Sequence, residues 1–226
     1  MDTFKPLFED REDAGKKLAE LLMDRNFENP IILALPRGGV PVAHEVARAF
    51  ASSLDVVVTR KIGSPNDPEY GIGAISENEV PHFNTMTASF YEPNDPEVKE
   101  VVEIEKKELR RRIALYREGR SLPSMKNRTV ILVDDGLATG VTAAAAGKFL
   151  RTFHPEELIL AVPVGPRSIS SMVQEQFDEI ICLNSLEHFS SVGFWYYDFS
   201  QIEDSEVIRI LHQYHPHDLS NITQMY

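Results

Sequence analysis

Two adjacent acids at the end of an apolar run are the residues best suited to chemistry in this sequence. The stretch Thr129–Ala146 reads TVILVDDGLATGVTAAAA: Asp134 and Asp135 end a predicted strand, and a short loop leads into an alanine-rich helix. Paired carboxylates accept hydrogen bonds from two neighbouring hydroxyls. The start of a helix offers unpaired backbone N–H groups and the positive end of a dipole, which suit a phosphate. The stretch therefore predicts a site for a vicinal diol beside a phosphate, as in ribose 5-phosphate.

Two other interpretations of this stretch stay open from the residues alone. One acid could cap the following helix while the other is exposed, although two acids directly after an apolar strand fit that less well. A phosphoacceptor aspartate of a receiver domain is the other interpretation. In that class, however, the paired acids and the acceptor lie on different strands and no nucleotide-type loop follows. Here Gly140 would allow a close backbone approach to an anion, and Thr139 and Thr142 can donate hydroxyls.

A second candidate segment is a turn that carries a cation and two glycines. Ile31–Val42 reads IILALPRGGVPV, a predicted strand that runs into a Pro-Arg-Gly-Gly turn before a helix. Gly38 and Gly39 permit unusual backbone angles and the close approach of an anion, and Arg37 adds positive charge. On its own, the segment fits a tight turn with an exposed arginine equally well. Beside the aspartate pair, it favours a second anion-binding element.

A third candidate segment, Val56–Ser76, pairs two cations with a run of turn-forming residues. It reads VVVTRKIGSPNDPEYGIGAIS, so a predicted strand ends at Arg60 and Lys61 and a Gly/Pro/Asn-rich stretch follows. These residue types favour turns, and the stretch is predicted to be a mobile loop.

The segments that must position these motifs alternate between strand and helix patterns. Short apolar runs without strict alternation predict strands covered on both faces, at Ile31–Leu35, Val56–Thr59, Val130–Val133, Leu158–Val164 and Ile180–Leu183. Helical spacing predicts helices at Asp10–Arg25, Val42–Phe50, Pro96–Glu118, Ala143–Phe153, Ser168–Phe177 and Ser205–Tyr214. This alternation predicts an α/β fold with a parallel, Rossmann-like central sheet flanked by helices, which binds ligands at the carboxyl ends of its strands.

Composition narrows the classes of function. The chain has 226 residues, 42% of them hydrophobic, and a formal net charge of −12. Such a charge repels nucleic acid at long range, so no nucleic-acid partner is expected and any phosphate site must be local. No apolar run approaches the roughly 20 residues of a membrane span, so no membrane partner is expected either. The acidic N-terminus lacks a basic-then-apolar signal pattern, which predicts a cytoplasmic location.

The segment VILVDDGLATGVT resembles the PRPP-binding motif of type I phosphoribosyltransferases, where PRPP is phosphoribosyl pyrophosphate. That motif has an apolar run, two acids, a short linker and a Thr-Gly turn. The chain is most similar to a bacterial group of predicted phosphoribosyltransferases of unassigned substrate. The resemblance implies one phosphoribosyltransferase domain over 1–226, with a core at about 25–182 and a flexible loop. A small C-terminal hood would span about 183–226, with an N-terminal helix at 10–25.

The resemblance also implies roles for individual residues. Asp134 and Asp135 would hold the ribose 2- and 3-hydroxyls, and they form the expected catalytic set with Lys61, the favoured catalytic cation, and Arg60. The 5-phosphate would be bound by Ala138, Thr139, Gly140, Val141 and Thr142. The pyrophosphate would be bound by Arg37, Gly38, Gly39 and Lys61. In the family, the loop that corresponds to Arg37, Gly38 and Gly39 often includes a cis peptide bond.

The acceptor is less well defined by the resemblance. In the hypoxanthine-guanine subgroup, an aspartate that acts as acid and base at the purine stands where this chain has Ala138. Alanine is typical of adenine and orotate enzymes and of amidotransferases, so a 6-oxopurine handled in that way is disfavoured. The aromatic segment Val192–Asp204 resembles the hood, and the candidate acceptor contacts there are Phe194, Trp195, Tyr196 and Asp198. Packing of the hood against the core is the competing interpretation for each of them.

The activity implied by the resemblance is transfer of ribose-5-phosphate from PRPP to a nitrogen acceptor, a nucleobase or an amine, with release of pyrophosphate. Mg2+ would act through PRPP and water near Asp134 and Asp135, and a homodimer is expected. The alternative is a non-catalytic protein of the same fold that senses PRPP or a nucleotide. A phosphatase or nucleotide hydrolase would need an acid or nucleophile beside the phosphate loop, where Ala138 and Val141 provide none. The residues His212, His215 and His217 favour a solvated tail over a metal site.

Overall fold

Five apolar runs form a parallel sheet at the centre of the fold. The computed structural model describes residues 5–84 and 91–215. Its helices are α1 (Arg11–Met23), α2 (Gly39–Ala49), α3 (Pro96–Arg117), α4 (Val141–Arg151), α5 (Ser171–Gln174) and α6 (Asp204–Leu211). Its strands are β1 (Ile31–Ala34), β2 (Leu54–Val56), β3 (Arg60–Ser64), β4 (Asp67–Ile75), β5 (Pro81–Phe83), β6 (Thr129–Val133), β7 (Glu157–Pro166) and β8 (Glu179–Leu186).

The order of the central sheet is β2-β1-β6-β7-β8, and every neighbouring pair is parallel. This confirms the predicted α/β fold. In the register of β1 and β6, Ala34 is opposite Val133, so both strands end at the same level. The chain segments that follow β1 and β6 therefore start side by side at the carboxyl edge of the sheet. That edge holds both the Pro-Arg-Gly-Gly turn and the aspartate pair.

Two apolar layers cover the sheet because successive residues of a strand face opposite sides. Ile32 and Ile131 pack on the side of α1, α2, α3 and α6. Leu33 and Leu132 pack on the opposite side, with α4 and α5. Side chains on both faces are fully buried, which explains why the strands read as continuous apolar runs rather than alternating ones.

The segment predicted to be a mobile loop is a β-hairpin. Strands β3, β4 and β5 form a separate antiparallel sheet, so the loop prediction was wrong about its secondary structure. The glycines permit close pairing, because a Cβ at Gly73 would lie 3.1 Å from the Cα of Phe83 on the neighbouring strand. Ile62, Ile72 and Ile75 are buried in the main core and anchor the hairpin. Turn-forming residues favour hairpins and irregular loops alike, so composition did not distinguish the two.

A buried ion-pair network also attaches this antiparallel sheet to the core. Arg117, at the end of α3, donates to Glu77 Oε2 over 2.7 Å and to the main-chain oxygen of Val56 over 2.9 Å. Glu77 also accepts a hydrogen bond from the backbone N–H of Val58. The end of β2 and the turn after β4 are therefore fixed to the same arginine.

The hood is built from both ends of the described chain. The backbone N–H groups of Leu7 and Phe8 donate to the oxygen of Trp195, and the N–H of Tyr197 donates to the oxygen of Phe8. A short 3-10 helix, Gly193–Trp195, precedes this pairing. Within the described ranges 5–84 and 91–215, every helix is too short or too polar to cross a membrane.

Candidate functional site

Asp134 and Asp135 stand directly after β6, at the carboxyl edge of the sheet. The backbone N–H of Asp135 donates to Asp134 Oδ1 over 2.9 Å. Burial raises the pKa of both carboxyls, and the charge of Asp135 raises the pKa of Asp134 further. The two acids are therefore held together in a poorly solvated position.

Arg11, the first residue of α1, contacts this pair and was not among the predicted site residues. Its Nε donates to Asp135 Oδ2 over 2.8 Å and its Nη1 donates to the oxygen of Ser200 over 2.9 Å. The guanidinium carbon lies 3.8 Å from the ring centroid of Phe199. An arginine in the first turn of a helix is unfavourable for the helix dipole, and this was the signal in the sequence that could have found it.

The turn after β1 packs against the aspartate pair. A Cβ at Gly38 would overlap Asp135 Oδ2, and a Cβ at Gly39 would lie 2.9 Å from the Cα of Asp134. The peptide bond between Pro36 and Arg37 is cis, the feature expected from the family resemblance. The structure thus brings the Pro-Arg-Gly-Gly turn and the two acids into contact.

The side chain of Arg37 points towards the start of α6. Its Nη1 lies 3.8 Å from Glu203 Oε2 and 3.7 Å from Asp204 Oδ1. Asp204 also accepts hydrogen bonds from Tyr116 Oη over 2.5 Å and from Arg111 Nη2 over 2.9 Å. Burial acts to raise the pKa of Asp204, but these hydrogen bonds outweigh it and hold that pKa below its usual value. A charged Asp204 therefore faces Arg37.

The predicted phosphate loop lies between β6 and α4. Ala138 and Thr139 are exposed at its tip, Thr142 is half-buried, and Val141 is packed in the interior. Gly140 has φ 73°, in the left-handed region that favours glycine, and it directly precedes α4. The first N–H groups of a helix have no partners within the helix, so this loop leads into a helix start of the kind that can accept an anion.

Arg60 and Lys61 open β3, and the structure gives them different surroundings. Arg60 Nε forms an ion pair with Glu105 Oε2 of α3 over 2.7 Å. Lys61 is exposed and lies opposite Ala74 in the β3–β4 ladder. Residues directly opposite in an antiparallel ladder share a face of the sheet. Ala74 packs against Val141, the first residue of α4, so that face of the hairpin adjoins the phosphate loop.

The four hood candidates lie in different environments. Phe194 is 49% exposed, whereas Tyr196 is buried and its hydroxyl donates to the main-chain oxygen of Asp135 over 2.6 Å. Trp195 is half-buried in the apolar cluster around Phe8. Asp198 is exposed and accepts a hydrogen bond from the N–H of Ser200. Phe194 and Asp198 are thus accessible, whereas Tyr196 is buried and holds the main chain at Asp135.

His212 and His215 have different partners. His212 Nε2 lies 3.1 Å from Glu118 Oε2, and His215 Nε2 lies 2.8 Å from the oxygen of Leu54. His217 lies outside the described residues. Over residues 5–84 and 91–215, the structure contains no group of three histidine, cysteine, aspartate or glutamate side chains placed to hold a metal ion.

Comparison with known proteins agrees with this geometry. Residues 8–198 match the family described as the phosphoribosyl transferase domain. Rv0571c and MT0597 of Mycobacterium tuberculosis, provisionally named phosphoribosyl transferases, are each 39% identical to this chain over 209 residues. These residues make up 92% of this chain and 47% of each relative, so the chain spans about half their length. The crystal structure of TT1426 from Thermus thermophilus is similar, with 35% identity and a TM-score of 0.73 over 92% of this chain and 98% of that one. The chain therefore belongs to the phosphoribosyl transferase domain family.

Proposed function

We propose that this chain binds PRPP at the carboxyl edge of its sheet and transfers the ribose-5-phosphate to a nitrogen acceptor. The observation that carries the proposal is the contact between the Pro-Arg-Gly-Gly turn and the acids. The backbone at Gly38 and Gly39 lies against Asp135 and Asp134, with no room for a Cβ. A pyrophosphate on this turn and a ribose on the acids would be neighbours, as they are within PRPP.

In the proposed reaction, the bond from ribose C1 to the pyrophosphate oxygen breaks and its electron pair leaves with pyrophosphate. The lone pair of the acceptor nitrogen forms the new bond at C1, and the proton of that nitrogen passes to water. Asp134 and Asp135 would hold the ribose hydroxyls and offer negative potential to the positive charge that develops at C1. Arg37 and the backbone at Gly38 and Gly39 would stabilise the departing pyrophosphate. The protein would act mainly by positioning and by excluding water.

The phosphate loop and the hairpin would complete the site. Ala138, Thr139, Gly140, Val141 and Thr142 would surround the 5-phosphate, largely through backbone N–H groups at the start of α4. Lys61 is the favoured catalytic cation, because the hairpin face it shares with Ala74 adjoins that loop. Arg60 is the weaker candidate, since Glu105 already neutralises its charge.

The charges at the site fit Mg2+ delivered with PRPP. The two adjacent carboxylates lie in a poorly solvated position with Arg11 beside Asp135, and burial raises the pKa of both, so a further cation close by would favour their charged forms. When bound, Mg2+ would neutralise pyrophosphate charge in the ground state and during departure. Asp134 and Asp135 would hold it through the ribose hydroxyls and water.

A sensor of PRPP or a nucleotide is the second candidate function. The ion pair between Arg60 and Glu105 favours it, because it withholds one of the two cations expected for catalysis. The two functions share the same PRPP site and differ in turnover. Phe194 and Asp198 are the exposed hood residues that an acceptor could reach in the catalytic case.

Calorimetry of the full chain with PRPP, with and without Mg2+, tests the proposal. We expect metal-dependent binding that is lost when Asp134→Asn and Asp135→Asn are combined in a protein that stays folded. Unchanged binding in that variant would refute the ribose assignment. Release of pyrophosphate in the presence of nucleobases or amines would identify an enzyme, whereas binding of AMP or GMP without turnover would identify a sensor. The homodimer and the cytoplasmic location are further parts of the proposal, tested by light scattering and by fractionation of cells.

A further inference from the structure

Arg11 is a buried arginine at the start of a helix, where its charge must be balanced by nearby partners. It opens α1, yet only 8% of its surface is exposed. A buried guanidinium is costly unless it is paired and hydrogen-bonded. Arg11 meets this requirement with Asp135 and the main-chain oxygen of Ser200, while the ring of Phe199 lies against the guanidinium.

The bond from Arg11 determines where one oxygen of Asp135 lies. Nε holds Oδ2 at 2.8 Å, and the backbone of Gly38 closes the opposite side so tightly that a Cβ there would overlap the same oxygen. The planar guanidinium donates along fixed directions, so it orients a carboxylate more strictly than an ammonium group does. The Asp135 carboxylate is thus held in one orientation before any ligand arrives.

The same arginine connects Asp135 to the hood. Ser200 and Phe199 belong to the C-terminal segment, and Tyr196 of that segment donates to the main-chain oxygen of Asp135 over 2.6 Å. The hood is therefore attached to Asp135 twice, at the main chain through Tyr196 and at the carboxylate through Arg11. A displacement of the hood would disturb the carboxylate, and a displacement of the carboxylate would disturb the hood.

We propose that Arg11 is a positioning residue that orients the Asp135 carboxylate for the ribose hydroxyls of PRPP and couples that orientation to the hood. The inference rests on the proposed function for its ligand, but the link to the hood has a readout that needs no ligand. Trp195 is the only tryptophan of the chain and lies in the hood, so its fluorescence reports on hood packing.

The test measures Mg2+-dependent PRPP binding by calorimetry in Arg11→Met, Asp135→Asn and the double variant. The matched control is Arg151→Met, because Arg151 also donates to one carboxylate, that of Asp178, and to one main-chain oxygen, that of Gln176, away from the acids. We expect Arg11→Met to weaken binding at least about tenfold. The double variant should bind no more weakly than Asp135→Asn, because Arg11 acts through that residue. Arg151→Met should bind like the wild type.

Two further measurements keep the outcomes distinct. If Arg11→Met does not fold, Arg11→Lys replaces it, since lysine keeps the charge without the planar fork, and it should still lose affinity. Acrylamide should quench Trp195 more strongly in the Arg11 variant than in the wild type or in Arg151→Met. Wild-type affinity in the Arg11 variant, or losses that multiply in the double variant, would overturn the positioning role while PRPP binding stands. A wild type that fails to bind PRPP would instead overturn the proposed function and the ribose role, and the Trp195 quenching would then decide the hood link.

Discussion

The backbone of Gly38 lies directly against the carboxylate of Asp135, although the two residues are far apart in sequence. A Cβ at position 38 would overlap Asp135 Oδ2 and approach Arg11 Nε to 3.3 Å. The backbone angles of Gly38, φ −59° and ψ −34°, are open to any residue. Glycine is therefore required here by the neighbouring carboxylate rather than by its own conformation. This contact is the physical link between the proposed pyrophosphate turn and the ribose acids.

Gly38→Ala should lower the affinity for PRPP at least about tenfold and destabilise the fold by about 1–3 kcal/mol, because the new methyl group displaces Asp135. Calorimetry and thermal unfolding measure the two effects. Gly119→Ala is the control: a Cβ there would meet nothing within 4 Å, but φ is 85°. That control should cost about 1 kcal/mol of stability without changing PRPP affinity. Equal affinities in all three proteins would show that the contact has no bearing on binding.

Asp134→Asn should stabilise the ligand-free protein at pH 8 and raise its Tm. The raised pKa of Asp134 means that the folded state binds more protons than the unfolded state in the window from the ordinary carboxyl pKa up to the raised one. Wild-type stability therefore falls as pH rises through that window. Asparagine removes the charge but keeps an oxygen that can accept from the N–H of Asp135. The gain should vanish below about pH 4.

Asp178→Asn provides a control of opposite sign for this pH effect. In the wild type, the hydrogen bond from Arg151 lowers the pKa of Asp178, so the charged form of this carboxyl stabilises the fold. The Asp178 variant should be less stable than the wild type at pH 8 and approach it as pH falls through the carboxyl range. Melting curves from about pH 3 to pH 8 measure both variants. If Asp134→Asn also destabilised the protein at pH 8, burial beside Asp135 would not disfavour the charged form of Asp134.

Lys61→Ala should lower the rate of pyrophosphate release by about 10- to 100-fold while changing the affinity for PRPP much less. In the proposed role, Lys61 would stabilise the negative charge on the departing pyrophosphate, and that charge develops mainly in the transition state. Steady-state kinetics with an identified acceptor, combined with calorimetry, separates the two effects. Lys99→Ala, on the exposed surface of α3, serves as the control. Parallel losses of rate and affinity would argue against a role in the transition state.

Glu203→Gln should raise the affinity for inorganic pyrophosphate about two- to fivefold. The carboxylate of Glu203 lies 3.8 Å from Arg37 Nη1 and competes with an anion for that guanidinium. The effect should be modest because the Glu203 side chain is 67% exposed and solvent screens the pair. Titration calorimetry at low ionic strength gives the comparison. Glu206→Gln, in the first turn of α6, controls for the loss of one negative charge. An equal gain in pyrophosphate affinity in that variant would indicate a general charge effect.

Most of the central sheet could be predicted from the sequence because its strands are covered on both faces. Continuous apolar runs such as Ile31–Leu35 and Val130–Val133 are typical of parallel strands that are buried on both faces. The hairpin that begins at Arg60 could not be predicted in the same way. Its glycines and prolines resemble a loop, and only the strand pairing and the burial of Ile62 and Ile72 against the core show that it is a sheet.

The local chemistry of the site follows from one continuous stretch of the chain, in which an apolar strand, two acids, a short loop and a helix start come in that order. The tertiary structure decided which charges face one another. Arg11 reaches Asp135 across 124 residues, Arg37 is directed to the start of α6, and Tyr196 is placed behind the acids. These pairings depend on how the helices and the hood pack on the sheet. This packing depends on which apolar surfaces are buried together over the whole molecule, so it cannot be predicted from a local pattern of residue types.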